Sequence, residues 1–108
     1  GYYDAYYGRA GAAREALRLE LVEAFKTVDA IATPTMPTPA FKVAEKSNPL
    51  SMYLADIFTV TANLTGNPAI SIPMGVVERE GSQLPVGLQL TSAHGDERGL
   101  FALAKEIQ

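Results

Sequence analysis

The sequence contains no cysteine and only one histidine among its 108 residues. Without cysteine, the chain can form neither a disulfide scaffold nor a cysteine-ligated zinc site, and we expect a reducing, cytoplasmic location. Charged residues are also scarce, at 19% of the chain against 47% hydrophobic residues. So little polar material to cover the surface of a small domain is consistent with a piece of a larger body.

Basic runs and long apolar runs are absent as well. The net charge is −3, and lysine and arginine are scattered, which argues against a dedicated nucleic-acid surface. No apolar run approaches the roughly 20 residues that a membrane-spanning helix needs, so we expect no membrane partner. The chain opens on Gly1 with neither an initiator methionine nor a signal peptide, which we interpret as an internal start.

The periodicity of apolar residues predicts helices and strands in the order α-β-α-β-β-α, typical of an α/β fold. The central stretch is Leu50–Gly75: Asn48 and Pro49 predict its helix start, and a break is expected at 56–59. A second short helix should then stop at Gly66. The other predicted elements are a helix over 4–27 with Asp4 as its cap, strands over 29–33 and 69–76, a polar turn over 78–83 before a strand holding Val86, Leu88 and Leu90, and a last helix capped by Asp96.

Searches for complete catalytic or metal-binding motifs fail. The sequence has no glycine-rich phosphate loop, no His-Glu-x-x-His motif and no Gly-x-Ser-x-Gly elbow. The lone histidine, His94, is interpreted as an exposed turn residue beside a helix cap rather than as a base or a metal ligand. We therefore predict no metal site and assign no catalytic residue.

Asp56 is the sharpest candidate for a binding residue. It stands among apolar residues, where an unpaired carboxylate would be costly. Two interpretations follow: Asp56 caps the short helix after it, or it holds a cationic partner such as a ligand's ammonium group. Spacing alone slightly favours the cap.

Two further stretches invite a binding interpretation. Tyr2, Tyr3, Tyr6 and Tyr7 form either a stacking surface for a ligand or rings that pack against a neighbouring element, and we favour packing. Three prolines between Pro34 and Pro39 predict an extended loop at a strand end, which is equally compatible with a ligand crevice and a plain connector. A non-enzymatic binding module is the rival that these two stretches suggest.

Several segments together resemble the amidase signature family, in particular its glutaminase (A) subunits of tRNA-dependent amidotransferases. The resemblance covers essentially the whole chain and rests on these segments in this order: GYYDAYY, ATPTMPTPAF, NPLSMYLADIFTV, ANLTGNPAISIPMG and LPVGLQL. It implies that residues 1–108 are the C-terminal fragment of one amidase-signature domain. The implied fold is an α/β/α structure around a large mixed sheet.

The resemblance also implies a chemistry that this chain only partly contains. The family uses a Lys–cis-Ser–Ser triad that lies upstream of the matched region, so the fragment alone is expected to be inactive. Asp56 matches the family's acid that binds the α-ammonium group of glutamine, which moves our preference from the cap to the ligand role. Met74 and Thr61 depart from common family residues, cysteine and proline respectively, without touching the amide chemistry.

The partners implied by the resemblance are a B subunit that binds tRNA and a small C subunit. Glutamine would supply ammonia, and ATP and Mg would act at the B subunit, with no cofactor bound by this fragment. The product would be Gln-tRNA(Gln) made from misacylated Glu-tRNA(Gln). The nearest alternative is a stand-alone amidase of the same family. Asp56 discriminates between the two, because an enzyme for neutral amides has no use for an ammonium anchor.

Overall fold

The computed structural model of the chain describes residues 1–43, 45 and 48–108. Within these ranges four helices and three strands follow in the predicted order. They are α1 (Tyr2–Ala24), β1 (Ile31–Pro34), α2 (Pro49–Ala55), α3 (Val60–Thr65), β2 (Ala69–Arg79), β3 (Ser82–Thr91) and α4 (Glu97–Ile107). None of these helices combines the length and apolar character that a membrane crossing requires.

The three described strands form one sheet in the order β1-β3-β2, and both pairings are antiparallel. The α/β class is confirmed, and the described strands form an antiparallel sheet; the parallel pairings of the implied mixed sheet are not among them. The central strand β3 pairs Gln89 with Thr33 on one side and with Ser71 on the other. Because β2 lies at an edge of this sheet, Pro73 is tolerated there.

The core lies on one face of the sheet, under α4. Strand alternation sends Ile72 and Leu90 to this face, where they are buried with Leu100 and Ala104 of α4. Alternation along the strand at 69–76 predicts that Met74 shares this face with Ile70 and Ile72. Instead, the register shifts between Pro73 and Gly75 and leaves Met74 at a bulge, 65% exposed.

Capping residues in the sequence predicted most helix ends correctly. Asn48 Oδ1 accepts a hydrogen bond from the Leu50 N–H at 2.8 Å, with Pro49 in the first turn. Gly66 ends α3 with a φ of 78°, in the left-handed region that glycine reaches without strain. The Asp96 carboxylate caps α4 by accepting from the Gly99 N–H at 3.2 Å. On α1, Arg18 forms an ion pair with Glu15 three residues before it, at 2.6 Å, and its hydrogen bond lowers the pKa of Glu15.

Other boundaries were wrong. The cap of α1 is Gly1 rather than Asp4, which lies in the first turn. The same helix ends three residues early, because the N–H groups of Lys26 and Thr27 bond three residues back and tighten the chain into turns. The polar turn shrinks to Glu80–Gly81, whose φ values of 52° and 81° suit a two-residue hairpin loop.

The loop after β1 is held to the hairpin by Arg79. Its guanidinium donates to the Ala40 carbonyl at 3.2 Å and to Glu45 Oε1 at 2.6 Å. The Lys42 backbone N–H bonds the Glu45 carboxylate, and together with Arg79 it lowers the pKa of Glu45. The prediction of loop or short strand over 41–46 lies partly outside the described residues, and its described part forms no strand.

Candidate substrate-binding site

Asp56 lies in the break between α2 and α3, where the sequence predicted it. It is the C-cap residue of α2, with φ −96° and ψ 6°. Its carbonyl accepts hydrogen bonds from the Thr59 N–H at 3.1 Å, the Val60 N–H at 3.0 Å and the Thr59 hydroxyl at 3.3 Å. The break is therefore a compact hydrogen-bonded turn from Asp56 to Val60, which we call the 56–60 turn, rather than a loose linker.

The Asp56 side chain is exposed and has no hydrogen bond or ion pair within the described part of the chain. The interpretation of Asp56 as the cap of the next helix is wrong, because Thr59 occupies the N-cap position and no side chain caps α3. The expectation of a sheltered carboxylate is also not met in this chain, where the apolar neighbours Tyr53, Leu54 and Ile57 are exposed too. Because the Asp56 carboxylate is exposed and has no partner among the described residues, it is available to bind a cation.

Three polar residues, Thr33, Gln89 and Ser71, lie side by side on the sheet face opposite the core. This row was not predicted from the sequence. Gln89 of β3 is only 6% exposed, and its Nε2 donates to the Phe58 carbonyl at 2.7 Å and to Thr33 Oγ1 at 3.2 Å. The Phe58 carbonyl belongs to the 56–60 turn, so the central strand is bonded to the segment that carries Asp56. The available signal was alternation, since Gln89 stands between Leu88 and Leu90.

The proline-rich loop is joined to the same face by a pair of hydroxyls. Thr35 Oγ1 and Ser71 Oγ share a hydrogen bond of 2.6 Å. Gly87 makes room for it, because a Cβ at that position would lie 2.5 Å from Ser71 Oγ and 2.9 Å from Thr35 Oγ1. Glycine is therefore favoured at position 87 for a steric reason, which its conformational propensity alone does not reveal.

The proline-rich loop also borders an apolar cavity of about 380 Å³. The loop contributes residues from Pro34 to Pro39, and the facing wall includes Met74, Val86 and Leu88. Of the two alternatives for this loop, a crevice wall fits the geometry better than a plain connector. Among the residues that the structure describes, no titratable side chain lines this cavity, so they supply no catalytic group to it.

The remaining candidates within the described residues form no catalytic or metal-binding cluster. His94 is exposed in the turn before α4, as expected. No three metal-ligating side chains cluster within residues 1–43, 45 and 48–108. Among the serines, Ser92 is buried and donates to the Asp96 carbonyl at 3.0 Å, while Ser47 lies outside the described residues.

The tyrosine cluster at the start of α1 is exposed and contacts mainly itself. The ring centroids of Tyr3 and Tyr7 are 4.5 Å apart, and those of Tyr6 and Tyr7 are 5.7 Å apart in an edge-on arrangement. The four rings are 56–81% exposed. The expected packing against a neighbouring element is therefore not met within the described residues.

Comparisons with known proteins agree on one family. The A subunit of glutamyl-tRNA(Gln) amidotransferase from Acidobacterium capsulatum is 52% identical over 109 aligned residues, covering 100% of this chain and 22% of that protein. The corresponding protein of Thermodesulfovibrio yellowstonii is 50% identical, over 96% of this chain and 21% of that protein. This chain thus spans about a fifth of the length of these relatives.

A crystal structure of the A subunit of glutamyl-tRNA(Gln) amidotransferase from Thermotoga maritima has the same fold over this region. It superposes with a TM-score of 0.83 at 44% identity, covering 93% of this chain and 21% of that one. The model of the family described as Amidase matches residues 1–101. Since that match takes in nearly the whole chain and the structural likeness covers 93% of it, the chain belongs to the amidase family.

Proposed function

We propose that this chain is the C-terminal part of a single amidase-signature domain in the glutamine-hydrolysing A subunit of a tRNA-dependent amidotransferase. The observation that carries the proposal is Asp56, an exposed carboxylate without a partner among the described residues, held by a hydrogen-bonded turn. Identities near 50% to subunits of that name support the same role.

Within the proposal, Asp56 pairs with the α-ammonium group of glutamine. A carboxylate and an ammonium form a charge-assisted hydrogen bond, which is stronger than a neutral one. Amides without a cation gain nothing from it, so Asp56 selects glutamine rather than accelerating bond cleavage. The serine nucleophile that attacks the amide and forms the acyl-enzyme belongs to the remainder of the protein, and the fragment alone is inactive.

The partners follow from the same role. Ammonia from glutamine passes to a B subunit that binds tRNA and uses ATP and Mg to convert Glu-tRNA(Gln) to Gln-tRNA(Gln), and a small C subunit completes the assembly. The net charge of −3 agrees with tRNA being bound by another subunit. A cytoplasmic location follows from the translational role.

The test compares Asp56→Asn with wild type in the full-length protein. Losing one partner of a charge pair costs about 2 kcal/mol or more, so kcat/KM for glutamine should fall about 30-fold. Hydrolysis of a neutral amide should change little. Glu78→Gln removes the same charge from an exposed position on β2 and serves as the matched control. Equal losses for both substrates, or none, would favour a stand-alone amidase in which Asp56 is structural.

A further inference from the structure

Gln89 is a polar side chain buried where the central strand meets the segment that bears Asp56. At 6% exposure it is removed from water, yet its amide nitrogen has two acceptors, the Phe58 carbonyl at 2.7 Å and Thr33 Oγ1 at 3.2 Å. The bond to Phe58 spans 31 residues of sequence and joins β3 to the α2–α3 break. Burying an amide in this way is favourable only when its hydrogen bonds are made.

The acceptor of the shorter bond belongs to the 56–60 turn. Phe58 follows Asp56 by two residues, and the Asp56 carbonyl accepts from the N–H groups of Thr59 and Val60 at 3.1 and 3.0 Å. Fixing the Phe58 carbonyl therefore restricts the whole turn, including the backbone from which the Asp56 carboxylate projects. No hydrogen bond within the described residues restrains that carboxylate through its own oxygens.

We propose that Gln89 is a positioning residue, which orients Asp56 toward the ammonium group of the substrate by anchoring the 56–60 turn to the central strand. The inference rests on the proposed function of Asp56. Thr33 has a supporting role, because its hydroxyl accepts the second N–H of the same amide at the longer distance of 3.2 Å. The strand, which is paired on both sides, supplies the rigid base.

The consequence for substrate use is specific. Without the hydrogen bond from Gln89 to the Phe58 carbonyl, the Asp56 carboxylate samples positions away from the ammonium group, which weakens glutamine binding. The reacting amide of a neutral substrate is not held by Asp56, so its hydrolysis is not affected through this route. A residue that only stabilised the fold would impair both substrates together.

The experiment is a double-variant cycle in the full-length protein with Gln89→Met and Asp56→Asn. Gln89→Met keeps the side chain's length without its N–H groups, and we expect it to raise KM for glutamine about tenfold with kcat and neutral-amide hydrolysis nearly unchanged. In the Asp56→Asn background the same substitution should have no further effect on glutamine. Thr33→Val, which removes only the longer bond, should raise KM less than twofold.

Gln89→Asn guards against misfolding of the apolar variant, since it keeps a neutral amide but is one methylene shorter, so its N–H groups no longer reach the Phe58 carbonyl that Gln89 contacts at 2.7 Å. It should show the same selective rise in KM. The positioning role would be overturned if the effects of the Gln89 and Asp56 substitutions on KM for glutamine were independent and multiplied in the double variant. It would also be overturned if both Gln89 variants lost activity equally on glutamine and on the neutral amide. An unchanged KM for glutamine in both Gln89 variants would also overturn it, provided that Asp56→Asn lowers kcat/KM for glutamine. If Asp56→Asn leaves kcat/KM for glutamine unchanged, the proposed function itself is refuted.

Discussion

At the scale of single residues, Gly87 shows how side chains distant in sequence can require glycine at one position. A methyl group there would lie 2.5 Å from Ser71 Oγ and 2.9 Å from Thr35 Oγ1, closer than carbon and oxygen tolerate. The hydroxyl pair at 2.6 Å joins the proline-rich loop to β2. Any larger residue must therefore break the hydroxyl pair, separate the loop from the sheet or displace β3.

We expect Gly87→Ala to lower the free energy of unfolding by about 1–3 kcal/mol, because overpacking forces neighbours out of place. Gly8→Ala is the matched control, since its added methyl group meets nothing within 4 Å on exposed α1. Adding Ser71→Ala should restore part of the loss by removing the nearer oxygen. Denaturant titration of the three variants measures these differences, and a Gly87→Ala protein as stable as wild type would show that the hydroxyl pair adapts freely.

Which residues could be predicted from the sequence depends on how far apart their partners lie. Asn48 and Asp96 were identified as caps because each accepts from a backbone N–H two or three residues away. Gln89 was missed because its partners lie 31 and 56 residues away, and only the folded sheet brings them together. The position of Asp56 in the break was predictable, but its ligand role rested on resemblance, and its exposure was not foreseen.

At the scale of elements, α4 and the sheet form the one apolar core that the described residues contain. Leu100 is 3% exposed against the sheet, while its neighbour Phe101 is 60% exposed on the other side of the helix. The alternation of Ile70, Ile72, Leu88 and Leu90 predicted this apolar face, because side chains two residues apart share one side of a strand. The β-bulge at Met74 had no comparable signal, since a register shift depends on both strands.

We expect Leu100→Ala to destabilise the 108-residue chain by about 2–5 kcal/mol, through lost burial and the cavity left behind. Phe101→Ala is the adjacent control and should cost about 0.5 kcal/mol or less, as exposed positions usually do. Unfolding curves of the two variants at low protein concentration measure the contrast. Similar losses for both would mean that α4 is docked differently from the arrangement described above.

At the scale of the whole molecule, the chain is more extended than an isolated domain of its length. Its radius of gyration is 16.7 Å, compared with about 13 Å for a compact domain of 100 residues. Only four apolar residues among the described residues are buried, and large ones such as Tyr2, Tyr53 and Met74 are well exposed. Apolar surface on this scale is usually covered by another body.

We therefore expect the isolated 108 residues to self-associate as their concentration rises, since burying apolar surface between copies is favourable. Analytical ultracentrifugation over a concentration series measures this. Replacing the four exposed tyrosines Tyr2, Tyr3, Tyr6 and Tyr7 with serine should weaken association without unfolding the sheet, because their ring contacts are with one another. A wild-type chain that stays monomeric throughout the series would contradict the expectation.

The most direct test of the central claim compares glutamine with glutaramate, which is glutamine with hydrogen in place of the α-ammonium group. Both are offered to the full-length protein and to its Asp56→Asn variant, and the ratio of their kcat/KM values is measured. If Asp56 binds the ammonium group, wild type should prefer glutamine by about 30-fold or more, and the variant should bring the ratio near one. A preference for glutamine that survives Asp56→Asn unchanged would contradict the assignment.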